Sequence, residues 1–365
     1  MRHWGVRLLL GLLLVALALC AYAPAALAQL PPGPQNPPAQ NKSGQPPVPQ
    51  TGNEKGKPES AISVSTAAVH VDVLVTDEDG RVLSGLKKDN FRVFDNGRPQ
   101  NVTNFAPVST PITIAMVLEY SAAAYDYFAY KSARWGYTFL GHLQPTDWVA
   151  LVTYDMKPTV RADFTHNTAE IRDVLSSLPA PAFREANLFD ALLDTLDRLD
   201  RIKGKKAILL VTTGADTFSK TTLDQAIRRL RESDVGVFCV GVAEAEFQEA
   251  EARGQISSSG NLNYLQSRNQ LESFARTSGG MAWFPRFEGE LPSIFNSVAA
   301  MLRNQYRIAF SPAESSWDSK YHKLKIQVVE ADGSPLKVTD KKGRQRKIIV
   351  YAREGYVAEK NPRRW

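Results

Sequence analysis

The chain has 365 residues, 43% of them hydrophobic, which is length enough for more than one core at about 100 to 200 residues per domain. Its 44 lysines and arginines against 38 aspartates and glutamates give a net charge of +6, too mild to mark the whole chain as a nucleic-acid binder. Of its two cysteines, Cys20 lies in a segment expected to be removed, which excludes an internal disulfide framework.

Residues 1–28 carry Arg2 and Arg7, continue with LLLGLLLVALALCAYA and close with Ala26-Leu27-Ala28. A positive start, a short apolar middle and a small-residue exit predict a secretory signal peptide. The apolar stretch falls short of the ~20 residues of a membrane span, so no membrane span is expected in the mature chain. Without these residues the charge is 42 minus 38, or +4. Residues 29–60 are rich in Pro, Gln, Gly and Asn and cannot bury enough surface to offset the entropy of ordering, which predicts a disordered tether.

Residues 61–108 form the first β segment. VHVDVLVTDEDGRVL places Val69, Val71, Val73 and Val75 on one face of a strand, and Asp79-Gly80 reads as a turn between two runs. FRVFDNGRPQNVTNF repeats the design around Asn96-Gly97.

Between residues 109 and 304 the pattern changes. The runs ITIAMVLE, WVALVTY, KAILLVTT and VGVFCVGV are continuously apolar, as strands covered on both faces are. Helical patterns fall at 124–141, 187–203, 220–233 and 262–277. Alternation of such strands and helices predicts an α/β domain, doubly wound on a mostly parallel sheet. Met281 to Phe284 reads as its last strand and 288–304 as a closing helix. Residues 243–262, acidic and then Ser/Gly-rich, read as an insertion in a mobile surface loop with a helical start. Cys239, inside VGVFCVGV, is expected to be a buried, inert thiol.

Residues 305–358 alternate again, in YRIAFSP, HKLKIQVVEADG and RKIIVYAREGY. They are expected to pair with 61–108 into one small antiparallel β domain, with the α/β domain inserted between and 359–365 left as a tail. The late cations Lys341, Lys342, Arg344, Arg346 and Lys347 have no aromatic residues interleaved. They read as a solvated turn rather than as a nucleic-acid surface.

Ligands of open parallel sheets bind beyond the carboxyl ends of the strands. There the first apolar run delivers Glu119, Tyr120 and Ser121, and KAILLVTT delivers Thr213 and, further on, Asp216. If these two runs are neighbours, the clusters meet. With Asn187 they form the candidate binding crevice, and Tyr125, Tyr127 and Phe128 are candidate contacts beside it. Glu119 and Ser121 themselves are expected to cap the next helix and face water.

The strand exit LEYSA, the helix opening NLFDALLDTL and the exit ILLVTTGADTFS together resemble a von Willebrand factor A domain. FRVFDNGRPQNVTNF, SGGMAWF, YRIAFSP and KIIVYAREGY resemble the exported VWFA-related proteins found chiefly in acidobacteria, the likeness running over residues 64–358. Metal-binding members of that family hold Mg²⁺ in a metal-ion-dependent adhesion site built on Asp-x-Ser-x-Ser, a loop threonine and a later aspartate. Carried onto this sequence, the resemblance puts those ligands at Glu119, Ser121, Ala123, Ala186 (or, shifted by one, Asn187) and Thr213. Only Ser121 matches. No metal or other cofactor is therefore expected; if Mg²⁺ were bound, Glu119, Ser121 and Asp216 would be its ligands.

The function implied is an exported, non-enzymatic module that binds another protein in the periplasm, the cell envelope or outside the cell. A metal-dependent adhesion domain with an altered ligand set and an exported hydrolase are the alternatives. No zinc-ligand spacing, Gly-x-Ser-x-Gly elbow or phosphate loop accompanies the five histidines.

Overall fold

A computed structural model describes residues 68–107, 110–122, 124, 132–312, 317–340 and 342–358. The expected leader, tether and C-terminal tail lie outside the described residues, as do Ala123, Tyr125, Tyr127 and Phe128.

The described chain begins with β1 (Val69–Asp77), whose apolar alternation buries Val69, Val71, Val73 and Val75. The Asp79-Gly80 turn leads back only to a single bridge, Thr76 to Val82, rather than to a second full strand. Asp77 accounts for this: its Oδ1 accepts from the N–H groups of Asp79 and Arg81 and holds the chain in a turn. A hairpin does form between β2 (Phe91–Asp95) and β3 (Arg98–Gln100). Asn96 (φ 47°) and Gly97 (φ 80°) take the left-handed conformation that its two-residue turn requires. β4 (Val102–Pro107) ends the segment.

The α/β part follows with β5 (Ile112–Glu119), α1 (Ser132–Leu140), β6 (Trp148–Tyr154), β7 (Pro158–Thr165), α2 (Thr168–Ser176) and α3 (Leu188–Leu199). It continues with β8 (Lys205–Thr212), α4 (Leu223–Glu232), β9 (Gly236–Gly241), α5 (Glu244–Ala252), α6 (Ser258–Ser278), β10 (Ala282–Trp283) and α7 (Leu291–Arg303). The strands form one sheet in the order β10-β9-β8-β5-β6-β7, parallel except for β7.

Even-numbered β5 residues (Ile114, Met116, Leu118) face Phe139 of α1, Ile171 of α2 and Phe295 of α7. Odd-numbered ones (Ala115, Val117) face Leu192 of α3, Leu230 of α4 and Phe274 of α6. Burial on both sides explains why these strands read as unbroken apolar runs.

Two features depart from the sequence expectation. β7 and α2 have no counterpart in it. Residues 243–262, expected as a loop beyond a helical start, are instead mostly helix: α5 is followed after a short turn by α6, which Ser257 caps through the Gly260 N–H at 3.0 Å. The aromatic rings of Phe247 and Tyr264 stack with centroids 3.8 Å apart and fasten α5 to α6.

The C-terminal segment supplies β11 (Tyr306–Phe310), β12 (Tyr321–Val328), the short hairpin β13 (Val338–Thr339) and β14 (Gln345–Arg346), then β15 (Ile348–Tyr351) and β16 (Gly355–Val357). These strands interleave with those of the N-terminal segment in two antiparallel sheets, β15-β1-β11-β4 and β16-β12-β2-β3. Val71, Val73, Ile308 and Phe310 of the first sheet pack on Phe91, Val93 and Leu324 of the second. The result is a small β-sandwich with the α/β fold inserted into it.

Candidate functional site

β5 and β8 are adjacent and parallel, with Leu118 opposite Val211. One residue further, Glu119 therefore leaves β5 beside Thr212 and Thr213. On its other side Glu119 lies opposite Tyr154, the last residue of β6. Three strand exits meet at one buried carboxylate: Glu119 is 2% exposed and Ser121 fully enclosed, while Thr213 is half-buried.

A buried carboxylate needs donors. Glu119 Oε1 accepts from Ser121 Oγ at 3.1 Å. Its Oε2 accepts from Thr212 Oγ1 at 2.8 Å, Thr213 Oγ1 at 2.8 Å and the Thr213 N–H at 2.7 Å. Thr212 gives its single hydroxyl proton to Glu119, so the 2.7 Å contact between Thr212 Oγ1 and Tyr154 must be donated by the tyrosine. Burial, then the Glu119 charge, push the Tyr154 phenol well above its ordinary value, which keeps it a proton donor here. The Gly214 N–H also donates to Thr212 Oγ1, at 2.9 Å. Gly214 sits at φ +84° with Leu271 and Ser267 of α6 close by, so the turn out of β8 suits glycine.

The expectation that Glu119 and Ser121 cap the next helix and face water is therefore overturned. Ser121 does cap a local turn, its Oγ accepting from the Ala124 N–H at 3.3 Å, but it is buried while doing so. Tyr120 is likewise buried.

Asn187 and Asp216 belong to a second layer of contacts. Asn187 Nδ2 donates to the Met156 carbonyl at 2.8 Å, and its Oδ1 accepts from the Phe218 N–H at 3.1 Å. Asp216 Oδ1 accepts from the Phe189 N–H in the first turn of α3 at 3.1 Å and from Ser219 Oγ at 2.5 Å. Asp216 thus holds a helix start, where a carboxylate is stabilising. Asp190, one residue along, takes the N–H groups of Lys220 and Thr221, both at 2.9 Å. Partial burial raises its pKa, but the Thr221 hydroxyl and these two amides outweigh that and leave it lowered. The position of the loop threonine, Ala186, is buried and offers only backbone atoms, which bond Thr217.

These residues do not fit a Mg²⁺ ion. Mg²⁺ takes oxygen lone pairs in a near-octahedral set. At this exit the hydroxyls of Ser121, Thr212 and Thr213 all direct their protons at Glu119, whose own oxygens take four hydrogen bonds. Of the further carboxylates, Asp216 is engaged at α3 and Asp190 with the amides of Lys220 and Thr221.

The sequence reading missed Tyr154, although its place at the end of WVALVTY was the available signal. It also missed Met156, Phe183 and Phe218, which stand exposed on the loops around the exit; composition does not distinguish an exposed loop aromatic from a buried one.

Residues 114–277 match the family described as von Willebrand factor type A domain. Among solved structures, the chain is similar to the conserved hypothetical protein BatB from Bacteroides thetaiotaomicron, at 13% identity, covering 53% of this chain and 100% of that one, TM-score 0.41. It is also similar to a von Willebrand factor type A protein from Catenulispora acidiphila, at 12% identity, with 79% of this chain and 74% of that chain covered, TM-score 0.43. The vWF domain of the type V pili tip protein Mfa5 from Porphyromonas gingivalis matches at 12% identity over 53% of this chain and 95% of that one, TM-score 0.39. At these scores the likenesses carry no argument about function. No curated protein matches the sequence.

Proposed function

We propose that this protein, a von Willebrand factor type A domain set into a β-sandwich, is an exported, non-enzymatic module that binds another protein at the crest of its α/β domain without a metal ion. One observation carries the reading: the Glu119 carboxylate reaches from β5 to the exit of β8 and takes up the hydroxyls of Ser121, Thr212 and Thr213. An aspartate, one methylene shorter, would leave a gap at this place for a cation to bridge. The glutamate closes the gap itself.

Export rests on the pattern of residues 1–28, a charged start, an apolar middle and a small-residue exit. A non-enzymatic role is favoured by the surroundings of Ser121, whose hydroxyl proton goes to a carboxylate instead of an imidazole. Of the described histidines, His166 bonds the Asp147 carbonyl and His322 sits between Asp95 and Asp318 in the sandwich.

The test is thermal unfolding of the full chain with millimolar Mg²⁺ and with chelator, run beside affinity capture under the same two conditions. Equal melting temperatures and the same captured protein are expected. A Mg²⁺-dependent rise in melting temperature that Thr213→Val abolishes would overturn the metal-free reading.

A further inference from the structure

His322, in β12, is buried in the sandwich with a carboxylate at each ring nitrogen. Its Nδ1 is 2.9 Å from Asp95 Oδ1 at the end of β2, and its Nε2 is 3.2 Å from Asp318 Oδ1 in the turn before β12. An ionised carboxylate only accepts hydrogen bonds, whereas a neutral imidazole carries one N–H and one lone pair. Both contacts are therefore hydrogen bonds only while His322 is protonated on both nitrogens.

The remaining charged and titratable groups around the ring are engaged elsewhere or face solvent. Tyr356 of β16, opposite His322 in the register, gives its hydroxyl proton to Asp95 Oδ2 at 3.0 Å. Burial, then the Asp95 charge, push that phenol well above its ordinary value, which keeps it a donor. Asp318 Oδ1 also accepts from the Lys320 N–H at 2.9 Å, and the Lys320 ammonium stands 3.9 Å from Oδ2. Arg98, opposite Asp95 across the β2–β3 hairpin, and Lys323, next along β12, are exposed. Arg353, between β15 and β16, acts through its charge on Tyr356.

The two carboxylates differ in what the loss of one proton costs them. The Asp95 side chain is 4% exposed and that of Asp318 35%. A buried anion stripped of a donor costs more than one that water reaches, so the single proton of a neutral His322 stays on Nδ1. Nε2 then turns a lone pair on Asp318 Oδ1, and the turn is repelled from the ring that had held it.

That turn carries the end of β16. Ser319 takes the left-handed conformation, φ 62°, which is uncommon for a residue with a Cβ. Its N–H donates to the Ala358 carbonyl at 2.7 Å, and the Ala358 N–H donates to the Lys320 carbonyl at 2.9 Å. Ala358, directly after β16, is wholly enclosed.

We propose that His322 is a pH-sensitive clasp on the last described strand. Charged, it ties Asp318 to Asp95 and keeps Ala358 seated; neutral, it lets go of residues 318–320 and with them the end of β16. The device lies in the sandwich and operates whether or not the crest binds a protein.

The test is amide hydrogen exchange of the full chain at about pH 5 and about pH 8.5, on either side of the ~6.5 of a free histidine. Each amide is read as a protection factor, its rate relative to that of the unstructured chain at the same pH. Ser319 and Ala358 are expected to lose roughly tenfold in protection at the higher pH, the size of one hydrogen bond to a charged group. Amides of the β1–β11 ladder should keep theirs. Asp318→Asn should abolish the loss, because its amide can donate to the neutral ring nitrogen. His322→Gln should abolish it too, and if that variant does not fold, Asp318→Asn decides. Equal protection at the two pH values in the parent chain would overturn the proposal. So would a loss that persists in Asp318→Asn, or an equal loss in the β1–β11 ladder, which would be a change of the whole fold.

Discussion

The Glu119 carboxylate and the Thr213 backbone N–H are 2.7 Å apart, a hydrogen bond between the ends of two adjacent parallel strands. The same oxygen takes two hydroxyls, so the exits of β5 and β8 are fastened by one side chain. Glu119→Gln replaces one acceptor oxygen by an NH₂ donor facing other donors. The expected loss is about 2–4 kcal/mol, the usual size for breaking a buried charged network. Urea unfolding should show the loss equally with Mg²⁺ and with chelator. A variant as stable as the parent chain would show that the bridge is not formed.

Lys205 opens β8 with its side chain enclosed, 2% exposed, and Nζ donating to the Leu302 carbonyl at the end of α7. Burial pulls its pKa down to about 8. Between that value and about 10.4, the value of a free lysine, the unfolded chain holds more protons at this position than the folded one. Stability from this group therefore increases as pH rises through the window, and its full penalty, up to about 3 kcal/mol, acts below pH 8. Lys205→Met should stabilise the chain at pH 7 by ~1–2 kcal/mol, less than the full penalty because the Leu302 carbonyl loses a donor. Urea titrations of both chains should show the gap narrowing by pH 10. A constant gap would contradict this account.

Cys239 lies in the centre of β9, wholly enclosed, and burial pushes its thiol far above the usual range. Only the thiolate is nucleophilic. Iodoacetamide at pH 7.5 should leave Cys239 unmodified in the folded chain and alkylate it in 6 M guanidinium, as peptide mass spectrometry would read. Modification of the folded chain at the unfolded rate would rule out the packing described.

Gly280 follows α6, with its N–H donated to the Ala275 carbonyl at 2.9 Å. A Cβ there would run into the Val237 backbone of β9, which is paired on both edges of its strand and cannot step aside. Gly280→Ala should cost roughly 3 kcal/mol or more, at the high end for a single methyl group. The midpoint of urea unfolding reads it directly, and a shift under about 0.5 kcal/mol would contradict the close approach.

Much of this fold was legible because burial on two faces writes a strong signal. ITIAMVLE, WVALVTY, KAILLVTT and VGVFCVGV coincide closely with β5, β6, β8 and β9. β7 escaped because PTVRADFT carries Arg161 and Asp163 on an edge strand, where one side meets solvent. The candidate site was legible in position but not in state. Glu119, Ser121 and Thr213 could be placed at strand exits from the apolar runs, and together only on the condition that the two runs were neighbours, which β5 and β8 are. Whether they face water or each other depends on reach: the extra methylene of Glu119 brings its oxygens to Thr212, and no periodicity encodes that. Asp216 looked like part of the same cluster because the loop of Thr213, Gly214 and Ala215 hid its turn toward the Phe189 N–H.

The route of the chain has a mechanical consequence. The described residues enter through β1 and leave through β16, both strands of the sandwich, while the excursion into the α/β fold departs from β4 and returns on β11, with Pro107 opposite Tyr306. Tension applied between these two ends would load the β1–β11 ladder, which Arg307 and Asp72 clasp with two bonds of 2.8 and 3.0 Å, and the β1–β15 ladder that leads on to β16. The α/β fold is fastened to that line, through the Arg231 carbonyl of α4, which accepts from Arg353 at 3.0 Å, and through Arg276 of α6, which pairs with Glu354 at 2.8 Å. A pull on the ends would therefore reach α4 and α6 as well as the sandwich.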